Sequence, residues 1–204
     1  MRLEGFVLAG GASSRMGEDK WRLPLGGRTL LERSVSALRH VTDRVAVVGD
    51  IDPGEVGGLA VVRDESPSGS AGPAGRAAIV GLYTALKRSR SEWVAVLACD
   101  LPFVSGELFE TLALLAGDEF EAVVPRQADG RMQPLCALYA RGASLRAAED
   151  LMRAGEWSLG GFARRLKTQV VDFEDVRDLP GSEFFFLNVN TPDDYAAAHR
   201  IAEA

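Results

Sequence analysis

Lysine is scarce in this chain: Lys20, Lys87 and Lys167 stand against twenty arginines among 204 residues. A lysine that closes a glycine-rich loop is therefore a marked choice in a sequence that otherwise carries its positive charge as arginine. Histidine is scarcer still. His40 and His199 lie in polar surroundings without a partner at metal-ligand spacing, which leaves a histidine metal centre or a histidine-dependent nucleophile without support. The two cysteines, Cys99 and Cys136, are distant from each other in apolar segments and read as reduced, buried thiols. No apolar run approaches the roughly 20 residues that span a bilayer. Residues Met1–Gly5 lead straight into a strand-like run, so the expectation is a cytoplasmic protein with no cleaved leader and no membrane partner.

The net charge of −6 argues against a general nucleic-acid binder. It is unevenly spread: residues 1–50 carry +2 and the remainder −8. The cations gather where the glycine-rich loop lies, as a polyanionic small molecule would require. With 47% hydrophobic and 25% charged residues, the composition is that of an ordinary globular protein long enough for one full core.

Short apolar runs alternate with helical patterns. Strand-like runs are 5–9, 44–49, 59–63, 93–98 and 121–125, and helix-like stretches are 29–40, 79–88, 106–116 and 142–154. Such alternation predicts βαβ units, a mostly parallel sheet and helices on both faces. Right-handed crossovers then collect the carboxyl ends of the strands along one edge, where ligands bind. Thr29–Glu32 has the form of a capping box. After residue 125 the rhythm changes: 135–139 reads as a strand antiparallel to its neighbours, and 193–204 as a closing helix with Thr191 as cap and Pro192 at its first position.

The loop after the first strand reads Leu8-Ala9-Gly10-Gly11-Ala12-Ser13-Ser14-Arg15-Met16-Gly17-Glu18-Asp19-Lys20. Small residues let the backbone approach a ligand, and Arg15 and Lys20 bring two cations to the same place, a combination that can wrap a triphosphate. The spacing is neither that of a P-loop nor that of a dinucleotide fingerprint. Asp100 is the second feature. It ends the nearly continuous apolar run 93–99, so it stands at the carboxyl tip of a central strand, suited to hold Mg²⁺ with phosphate oxygens or to cap the turn that follows. Asp64 ends the third strand-like run and would touch the nucleotide, stand behind the metal, or open a turn. Asn188 and Asn190 are two residues apart, and in extended backbone they share a face.

These motifs, with Cys99-Asp100-Leu101-Pro102, Gln133-Pro134-Leu135-Cys136-Ala137-Leu138-Tyr139 and Asn188-Val189-Asn190-Thr191-Pro192, resemble the MobA family of molybdenum cofactor guanylyltransferases along almost the whole chain. The resemblance implies a Rossmann-like three-layer α/β fold, mostly parallel with one antiparallel strand, with 1–204 as a single nucleotidyltransferase domain. It implies transfer of GMP from GTP to molybdopterin with release of pyrophosphate. By the same resemblance Asp100 binds Mg²⁺ at the nucleotide; Leu8, Ala9, Gly10, Gly11, Arg15, Gly17 and Lys20 serve the nucleotide; and Asn188 and Asn190 serve the acceptor. Arg15, Lys20 and Asp100 would carry the catalysis. Proteins that deliver molybdopterin or mature molybdoenzymes are the implied partners. One departure stands out: where the family has Gly-Pro-Leu-Ala-Gly, this chain has Ala77-Ala78-Ile79-Val80-Gly81, with a similar Gly72-Pro73-Ala74-Gly75 just upstream. A CTP-dependent molybdopterin cytidylyltransferase or another small nucleotidylyltransferase shares most of these motifs, and a non-catalytic nucleotide-binding regulator is the rival from another class.

Overall fold

The computed structural model describes residues 1–10, 19–68 and 78–203. In chain order it contains β1 (Leu3–Leu8), β2 (Pro24–Leu25), β3 (Arg28–Thr29), α1 (Leu30–Leu38), β4 (Val45–Val48), β5 (Ala60–Val62), α2 (Ala78–Arg88) and β6 (Trp93–Ala98). There follow α3 (Gly106–Leu115), β7 (Ala122–Pro125), β8 (Cys136–Ala140), α4 (Arg141–Arg153), α5 (Leu159–Ala163), β9 (Thr168–Val171), α6 (Phe173–Val176) and α7 (Pro192–Ala202).

Seven strands form one sheet in the order β5-β4-β1-β6-β8-β7-β9. Only β8 runs against its neighbours, β6 and β7, while β7 and β9 are again parallel. The expected α/β architecture with one antiparallel strand is therefore the observed one. The side chains of β6 are buried on both faces and alternate between two cores. Trp93, Ala95 and Leu97 join α1 and α3 on one side, and Val94 and Val96 join α2, α4 and α5 on the other. Shaving such a side chain, as in Leu97→Ala, costs about 2–5 kcal/mol in transfer and cavity terms.

Local signals decide the boundaries. Thr29 Oγ1 accepts the N–H of Glu32 at 3.1 Å and the Glu32 carboxylate accepts the N–H of Thr29 at 2.7 Å, so α1 begins on a complete capping box. Strands β2 and β3 form a hairpin missing from the sequence reading. Its two-residue turn, Gly26-Gly27, has φ of 58° and 78°, the left-handed pair that a tight hairpin of this length requires. The strand expected at 5–9 begins earlier, at Leu3, and ends at Leu8, although the Ala9 N–H still donates to the Val48 carbonyl at 2.9 Å. The strand expected at 135–139 runs from Cys136 to Ala140, after a turn in which the Cys136 N–H donates to the Gln133 carbonyl at 3.0 Å.

A third, smaller core decides how the ends of the chain meet. Leu23, Leu25 and Leu30 pack with Val189 and Ala198, and Tyr195 donates its hydroxyl to the carbonyl of Pro24. The hairpin that follows Lys20 and the segment that carries the asparagines are thus parts of one packed unit.

Candidate active site

Chain order places the site. From β1 the chain winds outward through β4 to β5, then returns to put β6 on the other side of β1. That reversal opens a crevice at the carboxyl ends of β1 and β6. Leu8 is paired with Ala98, and the Cys99 N–H donates to the Leu8 carbonyl at 3.1 Å. The backbone at Ala9-Gly10 and the carboxylate of Asp100 therefore leave the sheet side by side.

Asp100 is largely buried at that tip. Burial pushes its carboxyl above the ordinary aspartate range, and the positive charge of Lys20 pulls the other way. The thiol of Cys99, one residue earlier, is pushed up to about 12 by burial, with the Asp100 charge adding to the effect. It is a packing group and not a nucleophile at neutral pH. Cys136 is likewise buried and free, as expected.

Lys20 opens a single 3₁₀ turn, Lys20–Arg22, whose Trp21 is buried against α1. Its Nζ donates to Asn190 Oδ1 at 2.7 Å, across 170 positions of sequence. The other two lysines are spent elsewhere: Lys87 pairs with Glu65 at 2.8 Å, and Lys167 lies over the ring of Phe120. The scarcity of lysine in the sequence thus resolves to a single lysine at this edge.

The asparagine segment docks directly on the strand tip. Val189, fully buried between two exposed asparagines, donates its N–H to the carbonyl of Asp100 at 2.9 Å. Extended backbone here turns Asn188 and Asn190 outward together, as their spacing predicts. Asn190 meets Lys20; Asn188 is exposed beside it. Thr191 caps α7, with Pro192 at its first position, again as expected.

Asp64 lies two residues beyond β5, half-buried, with its carboxylate over the backbone of Gly10. A Cβ added to Gly10 would stand 3.3 Å from Asp64 Oδ2, and one on Gly81 would stand 3.8 Å from Oδ1. A Cβ on Gly49, just after β4, would likewise stand 3.3 Å from the carbonyl carbon of Ala9. Leu8, Ala9, Gly10, Lys20, Asp64, Asp100 and the asparagine pair therefore line one edge. The remaining loop residues, Gly11, Arg15 and Gly17, lie outside the described residues, as does the Gly72–Gly75 departure. A carboxylate that sequence reasoning passed over, Asp194, takes part as well: its Oδ2 accepts the N–H groups of Asn190 at 3.0 Å and Thr191 at 2.8 Å. The capping signal at Thr191 pointed to it, since the partner in a capping box stands three residues on.

Comparison with known proteins gives the same edge a lineage. The family model for a MobA-like NTP transferase domain matches residues 5–168. A probable molybdenum cofactor guanylyltransferase from Pelotomaculum thermopropionicum is 32% identical over 204 residues, covering 100% of this chain and 95% of that protein. A molybdenum cofactor guanylyltransferase from Cereibacter sphaeroides is 36% identical over 210 residues, covering 98% and 97%. Among solved structures, molybdopterin-guanine dinucleotide biosynthesis protein A from Archaeoglobus fulgidus superposes with a TM-score of 0.77 at 25% identity, covering 98% of both chains. Similarity this long, over a crevice that gathers a lone lysine, a buried carboxylate and small-residue backbone, has one consequence: the chain belongs to the MobA-like NTP transferase family.

Proposed function

We propose that this protein transfers the guanylyl group of GTP to the terminal phosphate of molybdopterin, forming the guanine dinucleotide cofactor and releasing pyrophosphate. The observation that carries the reading is the meeting of Lys20, Asp100 and Asn190 at one sheet edge, in a chain whose full-length relatives are named molybdenum cofactor guanylyltransferases. The reading treats residues 1–204 as one catalytic unit.

The chemistry asks little of acid or base. An oxygen of the acceptor phosphate, already ionised at neutral pH, attacks the α-phosphorus of GTP. The bond from that phosphorus to the oxygen bridging to the β-phosphate breaks, and pyrophosphate departs with the electron pair. What the protein must supply is alignment of two anions and stabilisation of charge on the leaving group. Lys20 offers three donors on a compact charge; Asn190 takes one, which leaves the others to face phosphate oxygens. The backbone of Ala9 and Gly10 lets the nucleotide approach closely, under the Asp64 carboxylate. Asn188 offers amide contacts to the acceptor without adding charge.

The donor set suits Mg²⁺. Among the described residues no three His, Cys, Asp or Glu side chains could hold a metal ion together. A divalent ion at Asp100 would accordingly complete its shell from phosphate oxygens and water, the habit of Mg²⁺. Such an ion neutralises triphosphate charge when bound. Asp100 would hold it at the strand tip, where burial keeps the carboxylate fixed.

The test is pyrophosphate release from Mg²⁺, molybdopterin and GTP, CTP or ATP in parallel. Release with GTP alone, with the guanine dinucleotide as product, is the expected result. Release with CTP instead would keep the chemistry and overturn the base. Binding of GTP without release would overturn catalysis in favour of a regulator.

A further inference from the structure

The crevice is closed by a contact between the two ends of the chain, and that contact is itself held. Asp194 Oδ2 accepts the backbone N–H groups of Asn190 (3.0 Å) and Thr191 (2.8 Å), while Thr191 Oγ1 accepts the N–H of Asp194 at 3.1 Å. Asn190 Oδ1 in turn accepts from Lys20 Nζ at 2.7 Å. We infer that Asp194 and Asn190 are positioning residues: the capping box of α7 fixes the backbone of Asn190, whose amide oxygen holds the Lys20 ammonium at the strand tip beside Asp100. The inference deepens the proposed reading and rests on it for its kinetic consequence, though not for its geometry.

Three observations bear on it. First, a free lysine side chain carries about 2 kcal/mol of rotamer entropy, so a lysine meant to meet a triphosphate gains from being held before the ligand arrives. Second, the capping carboxylate does more than a cap needs. A capping box requires one bond from the third helical residue back to the N-cap N–H, here Thr191. The second bond, to Asn190, lies outside the helix and serves only the residue that touches Lys20. Those N–H groups, foremost that of Asn190, hold the Asp194 carboxyl below the usual aspartate range, and Lys20 adds to this. Third, the small core of Leu23, Leu25, Leu30, Val189 and Ala198 brings the two segments together, and Val189 N–H on the Asp100 carbonyl sets their height. The polar chain is thus built on a packed base.

The scarcity of lysine makes the state of Lys20 directly readable. Chains grown with lysine labelled at Cε and Nζ give only three side-chain signals, from Lys20, Lys87 and Lys167. In the wild-type protein without ligand, the Lys20 signal should show restricted motion. Asn190→Ala and Asp194→Ala should release it. Thr191→Ala removes the hydroxyl half of the cap and leaves Asp194 facing Asn190. It should lower the melting temperature by about 2–4 °C and leave Lys20 ordered. Asp194→Asn keeps an acceptor oxygen for both N–H groups and should stay close to wild type. In turnover, Asn190→Ala and Asp194→Ala should lower kcat/KM for GTP about tenfold, as loss of one charge-assisted hydrogen bond does. An ordered Lys20 in Asp194→Ala, or a loss in Asp194→Asn equal to that in Asp194→Ala, would overturn the inference. Failure of the wild type to release pyrophosphate would overturn the proposed reaction instead, and the label would still report on the brace.

Discussion

Replacing Asp100 with asparagine should make this protein more stable and useless at once. The carboxyl sits at a buried strand tip, and burial raises its folded-state pKa, with Lys20 offsetting part of the effect. Unfolded, the group titrates near 3.9. Between that value and the raised folded value, the folded chain holds a proton that the unfolded chain has released, so stability falls as pH rises through the window. Above it the full cost of the buried charge is present, at about 1.4 kcal/mol for each unit of upward shift. Partial exposure and the Lys20 charge keep that cost at the low end. Asparagine removes the charge and preserves the shape. Asp100→Asn should therefore melt above wild type at pH 7 and show no gain below pH 4. Turnover is the opposite case. A carboxylate that anchors a divalent ion on a transferring phosphate supports several kcal/mol of transition-state stabilisation, and a loss of about 4 kcal/mol is a thousandfold. Calorimetry across pH and pyrophosphate release at saturating Mg²⁺ read the two arms. A melting temperature equal to or below wild type would refute the burial argument, and turnover within tenfold of wild type would refute the role of Asp100.

Three further outcomes follow from the same geometry. Lys20→Arg should not rescue function: a broad planar fork on a three-methylene stem cannot keep the 2.7 Å contact to Asn190 while offering a compact charge, so kcat/KM should fall about a hundredfold, and near-normal steady-state kinetics would contradict this. Gly10→Ala sets a methyl 3.3 Å from Asp64 Oδ2 and should weaken GTP binding about tenfold, the ~1.4 kcal/mol of one displaced contact. Titration calorimetry beside an unchanged circular-dichroism melt checks it, and an unchanged Kd would show that the nucleotide does not pass over Gly10. Finally, both thiols should resist Ellman's reagent at pH 8 in the native protein and react fully in guanidinium. Cys99 is pushed up to about 12 by burial, and burial pushes the Cys136 thiol up as well. Rapid labelling of either in the native state would mean that the strand tip opens.

Much of this architecture can be read without coordinates because its signals are local. The β6 run Trp93–Ala98 is apolar on both faces, which only a central strand buried between two helical layers explains. The charged residue at its end then falls on the ligand edge by topology alone. Thr29 and Glu32, or Thr191 and Pro192, are likewise read three residues at a time. The misses share the opposite property. Strand β9, Thr168–Val171, is four residues long and mostly half-buried at a sheet edge, and its existence depends on parallel pairing with β7, 46 positions earlier at Ala122↔Thr168. Helices α5 and α6 have five and four residues, too few to show a periodic face.

The site divides along the same line. Glycine spacing, the strand-end aspartate and the paired asparagines mark the candidate edge in the sequence, because each is constrained by its immediate neighbours. That Asn190 should face Lys20, and not a substrate alone, depends on a separation of 170 residues bridged by a five-residue core. Nothing in either segment encodes the distance. Asp193 and Asp194 look alike in sequence, yet only the second reaches back to Asn190 and Thr191, since the box closes from the third helical position and no other. A one-residue shift in the start of α7 would exchange their roles and release Lys20. Pro192 disfavours helical backbone at Thr191 before it, which stays extended at φ −126° and ψ 163°, and so guards against that shift, which makes a helix-start signal a determinant of where a distant ammonium stands.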